Sequence, residues 1–266
     1  MPAKPPAKKT APKAKPAQAA ASAAKPRAGK PAGKAPTKPT AGARAGTAKT
    51  GPAASPKDRA RAQEVFAILA ARYPAPAPAL DYTDAWSLLV ATVLAAQCTD
   101  ARVNTVTPEF FRRWPSIDSL AKADVLEIEG VVRSTGFFHN KAKNLKAAAT
   151  RIMEVYGGEV PRTMAELVTL GGVARKTANI VLGSAFGINE GIAVDTHVTR
   201  LSFRLGFTES RDAVIIEREL MPLFERSQWA DINHFLVYFG REVCDARKPK
   251  CDACPLAHLC PRKGLK

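Results

Sequence analysis

An all-α fold is predicted by three observations. Apolar residues recur at helical spacing along most of residues 57–266. Short punctuation such as "STG", "YGGEVP" and "FGINEG" separates those stretches, and no sustained period-two segment interrupts them. Many helices joined by short loops point to a helical assembly. About 210 residues are enough to bury a sizeable core, as one large domain or two interleaved ones.

In chain order, residues 1–56 come first and do not join that pattern. They hold twelve of the chain's 40 Lys and Arg residues and no acid, which leaves 28 basic against 24 acidic residues for the rest. With Ala, Pro, Lys and Gly and no aromatic residue, the tail is expected to be disordered. It reads either as a solubilising extension or as a polycation that stays near nucleic acid by counterion release. Targeting ranks below both, because the prolines spoil an amphipathic helix. No apolar run reaches membrane-spanning length, so a soluble chain is expected.

Asp58 to Tyr73 places Ala62, Val65, Phe66, Leu69 and Tyr73 on one helical face, and Pro74 ends the run. "YPAPAPAL" is a stiff connector. Thr83 can cap a helix to about Gln97 that has hardly any polar face, as expected of a central element. Further helices are predicted over 101–114, 117–128, 141–155, 164–170, 175–185, 195–205, 213–224 and 229–239.

Four of the five cysteines crowd into "CDARKPKCDACPLAHLC": Cys244, Cys251, Cys254 and Cys260, spaced 6-2-5. Four thiolates so close suit one soft metal centre in an intracellular protein, and a disulfide framework would scatter them. Zinc stays open on spacing alone. Upstream, "LGGVARKTANIVL" reads as a glycine turn, Gly171-Gly172-Val173-Ala174, between a short helix and a longer one. Consecutive backbone N–H groups at a helix N-terminus make an anion site that fits a phosphate. Lys176 stands just inside that helix, and Asp195 opens "VDTH" nineteen residues later, where an N-cap is the default reading.

These motifs together resemble the endonuclease III family of DNA glycosylases, over roughly Asp58 to Arg262. The resemblance implies a two-lobed helix-hairpin-helix glycosylase fold: a helical barrel over 79–188, and a cluster lobe made of 57–78 with 189–266. It implies a four-iron four-sulfur cluster on the four cysteines, and Arg247, Lys248 and Lys250 of the loop between the first two ligands on DNA phosphates. It makes Lys176 the nucleophile and gives Asp195 the stabilisation of positive charge on the deoxyribose. Asp195 is expected near Lys176 without a tight ion pair, and His197 is expected in a supporting hydrogen bond. Gln97 of "LAAQCTD" and Phe137 of "TGFFHNKAKNL" become the side chains that fill the gap left by an extruded nucleotide.

An amine nucleophile must be neutral, and a helix N-terminus contributes only ~0.3 to 1 kcal/mol toward that. Desolvation in a closed pocket and the charge of Arg175 are expected to supply the rest. The family usually has proline at the position of Gly171 and glycine at that of Ala174. Here the first change is expected to loosen the turn, and the second to crowd the approach of a phosphate to Gly171, Gly172, Val173, Ala174 and Arg175.

The implied activity is bifunctional: release of oxidised pyrimidines from duplex DNA and cleavage 3′ to the abasic site by β-elimination, performed by a monomer in the cytoplasm, at the nucleoid if bacterial. A non-catalytic, cluster-bearing DNA-binding paralogue is the alternative. A mismatch adenine glycosylase fits less well, because no carboxylate lies between Ala85 and Thr99.

Overall fold

The computed structural model describes residues 54–265, and among them every regular element is helical. The disorder expected of the tail falls on residues outside that range, except that its last residues start the first helix. Ser55 caps α1 (Pro56–Arg72) by accepting the Asp58 N–H, and Pro56 fits the first turn because no intrahelical donor is needed there.

The apolar helix α2 (Ala85–Leu94) is capped by Asp84, not by Thr83. Asp84 and Ser87 form a reciprocal capping box, which a Thr one residue earlier cannot close. Thr99 caps α3 (Asp100–Arg113). The single helix expected over 117–128 is two: α4 (Ile117–Lys122) ends at an extended Ala123, and Asp124 caps α5 (Val125–Val132). An aspartate that bonds a free N–H restarts a helix more readily than it continues one.

A 3-10 turn (Arg133–Thr135) leads to α6 (Phe138–Val155), which starts three residues earlier than its apolar pattern. The short α7 (Met164–Leu167) and α8 (Arg175–Phe186) flank the glycine turn. Next come α9 (Thr196–Arg204), α10 (Ala213–Leu220) and α11 (Trp229–Glu242). The expected run to Phe224 stops at Leu220, and a 3-10 turn holds Pro222, which has no N–H to continue an α-helix.

Two hydrophobic cores result. One runs from Leu80 to Leu182 and is centred on α2, of which only Ala85 is not buried. The other joins Ala62, Val65 and Leu69 of α1 to residues between Ile192 and Leu256. Helix α8 packs on α2 of the first core and on α11 of the second. Helix α8 therefore lies where the two cores meet.

Candidate active site and metal centre

The glycine turn rests on the backbone of α6. A Cβ added at Gly171 would lie 2.6 Å from the Asn144 carbonyl oxygen, and Gly172 has φ 76° with the Asn144 side chain against it. Gly171 thus permits a close approach of two backbones. The expectation that it only loosens the turn is corrected, since a sequence shows the residue and not the neighbour that crowds it. Val173 is buried in the first core and holds the turn down. Ala174 is the exposed, extended N-cap of α8 and offers no side-chain acceptor, so no capping bond from it occupies the first-turn N–H groups.

Lys176 is exposed in that first turn, which differs from the closed pocket expected around it. Arg175 differs too. Its Nε donates to Glu217 Oε2 at 2.7 Å, and a second nitrogen reaches the Glu190 carbonyl at 3.5 Å. Glu217 is 6 % exposed and also accepts from Asn179 Nδ2 at 2.9 Å. A buried carboxylate needs such a partner. The guanidinium expected beside the lysine and on phosphate is therefore drawn toward α10. Gly191 belongs to the same arrangement, because any Cβ there would collide with Glu217 Oε1.

Asp195 is the N-cap of α9 and accepts from the N–H groups of His197 and Val198, both at 2.8 Å. Its other oxygen lies 3.3 Å from His197 Nδ1, the supporting bond expected of that histidine. Burial pushes the carboxyl up, but the bonds from His197 and Val198, with the charges of His197 and Lys176, outweigh it and hold the group below the usual carboxylate range. Lys176 is thus close enough to act on Asp195, yet among the described residues the two form no ion pair.

Gln97 and Phe137 lie just beyond α2 and just before α6. Both are exposed, Phe137 by 63 %, so plain packing does not account for the phenylalanine.

The four C-terminal cysteines line one recess, with Arg204 and Leu256 in its wall. Among the described residues no three His, Cys, Asp or Glu groups stand close enough to share a single ion. Four thiolates around one recess suit a soft metal centre such as an iron–sulfur cluster. Burial, then the charges of the other cysteines, pushes the Cys254 and Cys260 thiols up, so loading must displace protons.

Sequence reasoning missed Arg200 and Arg204 here. Arg204 donates to the Cys244 sulfur at 3.2 Å and to the carbonyls of Asp245 and Ala246 at 2.7 and 2.9 Å. Arg200 donates to the Cys244 carbonyl at 3.3 Å. Asp245 accepts from the N–H groups of Arg247 and Lys248 and turns the loop so that Arg247, Lys248 and Lys250 are exposed.

Residues 90–226 match the model of the HhH-GPD superfamily base excision DNA repair proteins, and residues 244–260 match that of the iron-sulfur binding domain of endonuclease III. The chain is 55 % identical to the endonuclease III of Synechocystis sp. over 76 % of its length and 92 % of the relative's. Among solved structures it is similar to a non-covalent endonuclease III–DNA complex, with a TM-score of 0.73, 40 % identity, and coverage of 77 % of this chain and 95 % of that one. It is equally similar to a trapped endonuclease III–DNA covalent intermediate, with a TM-score of 0.73, 40 % identity, and coverage of 77 % and 96 %. With its helical fold and its iron–sulfur domain for a 4Fe–4S cluster, the chain belongs to the endonuclease III family of base excision repair DNA glycosylases and AP lyases.

Proposed function

We propose that the chain removes oxidised pyrimidines of the thymine-glycol type from duplex DNA and then cuts 3′ to the abasic site. The observation that carries this reading is an exposed Lys176 in the first turn of α8, beside an Asp195 kept ionised. The hairpin N–H groups and the exposed Arg247, Lys248 and Lys250 hold backbone phosphates, which fixes where the sugar lies. Gln97 and Phe137 fill the space of the extruded nucleotide. DNA closing over the mouth supplies the desolvation that the chain alone does not give Lys176.

The neutral Lys176 amine attacks C1′, the C1′–N bond breaks with its electron pair leaving on the base, and Asp195 stabilises the positive charge that grows on the sugar. The base takes up a proton and the attached nitrogen loses one. The sugar ring opens to a Schiff base, loss of a C2′ proton expels the 3′ phosphate, and water hydrolyses the imine. Cys244, Cys251, Cys254 and Cys260 hold the cluster, which ties the C-terminal segment to the second core through metal–thiolate bonds. The enzyme acts as a monomer in the cytoplasm.

Borohydride is expected to trap a covalent complex with damaged DNA, and Lys176→Ala to abolish it. Trapping that survives the substitution moves the nucleophile elsewhere. No trapping by the unsubstituted chain favours a non-catalytic DNA-binding paralogue.

A further inference from the structure

Gln97 and Phe137 have φ of 54° and 48°, so both are left-handed residues that are not glycine. Such backbone is strained and persists only where the surroundings hold it. Between the two loops lies Lys141, 4 % exposed on α6, with no role in the chemistry described above. Its ammonium donates to the Leu94 carbonyl at 2.8 Å and to the Thr135 carbonyl at 2.7 Å. Leu94 ends α2 three residues before Gln97, and Thr135 ends the 3-10 turn two residues before Phe137.

We propose that Lys141 is a positioning residue: its ammonium staples the loops of Gln97 and Phe137 into one unit and so sets the gap into which a nucleotide pair is opened. The Leu94 carbonyl faces a positive charge at the C-terminal, negative end of α2, where a cation is favoured. An apolar side chain of the same length would leave both buried carbonyls without a donor. A second nucleophile is excluded by burial, since no sugar carbon can reach an amine enclosed between two carbonyls. The inference rests on the gap-filling reading of Gln97 and Phe137.

Lys141→Met is expected to slow single-turnover release of thymine glycol from a duplex by about tenfold or more, while cleavage of a preformed abasic site changes by less than about threefold, because only the first reaction must unstack a base. Lys141→Arg, which keeps two donors, is expected to recover most of the base release. Equal losses in both reactions would assign Lys141 to general stability and overturn the staple. Gln97→Ala and Phe137→Ala are run alongside. If neither slows base release, the gap-filling reading fails and the staple with it; if both do and Lys141→Met does not, the staple alone fails.

A second measurement needs no substitution and so stands even where Lys141→Met does not fold. The Cys98 amide, bonded to the Ala95 carbonyl, and the Gly136 amide, bonded to that of Arg133, are expected to share one opening free energy in hydrogen exchange. Two distinct values overturn the proposal.

Discussion

As the N-cap of α9 and the proposed stabiliser of sugar charge, Asp195 has two tasks that conflict in most residues. A helix cap is fully hydrogen-bonded, whereas a charge stabiliser must still present charge to a ligand. Here one oxygen takes both 2.8 Å backbone bonds, and the other keeps only the 3.3 Å contact with His197. Asp195→Asn keeps a capping oxygen and loses the charge, so base release is expected to fall by about 100-fold or more while DNA binding changes little. Equal losses in rate and binding would reduce Asp195 to a cap. At Gly171, alanine puts its methyl group 2.6 Å from a carbonyl oxygen, and Gly171→Ala is expected to cost about 1 to 3 kcal/mol, read as a lower Tm. The sequence marks both positions by motif. It could not assign Gly171 its reason, because the crowding atom belongs to Asn144 on another helix.

At the scale of elements, α8 is held against the second core by polar contacts that periodicity does not reveal. Arg175 and Asn179 reach Glu217 on α10, and Ser184 Oγ lies 3.3 Å from His234 Nε2 on α11. Burial lowers the His234 pKa to about 4 from an ordinary 6.5. Between those values the unfolded chain takes up a proton that the folded chain refuses, so stability falls as pH drops from about 6.5 to 4, by up to roughly 3 kcal/mol. Chemical denaturation across that window is expected to show a shallower acid slope for His234→Gln; an unchanged slope would place the protonation elsewhere. Helix existence was legible because apolar spacing records burial. The break at Ala123 and the early start of α6 were not, since a cap and a left-handed Phe137 decide them. Lys141 left a signal that could have been read: it stands four residues before Leu145 on the buried face of α6, where a lysine has no reason to be without acceptors.

For the whole molecule, charge and core divide along the chain. The described residues contain no helix long and apolar enough to cross a membrane, and most of the net +16 belongs to the first 56 residues. Removing residues 1–53 is expected to flatten the dependence of log K for undamaged DNA on log salt, by about 0.9 for each phosphate the tail neutralises, and to leave single-turnover base release within about twofold. An unchanged slope makes the tail a solubilising extension. The all-α class and the order of hairpin, aspartate and cysteines were legible because each is a local pattern. The contact of Arg175 with Glu217 was not, because it closes between segments far apart in sequence. Helix α6 adds a metric consequence. It carries Phe137 at its N-terminus and supports Gly171 at Asn144, so one rod separates the side chain proposed to enter the duplex from the turn proposed to hold the phosphate. Its helical part, Phe138 to Asn144, rises about 9 Å. The rod acts as a caliper, and one residue inserted between Phe138 and Asn144 would swing the phosphate seat about 100° around the axis while lengthening the span by only about 1.5 Å.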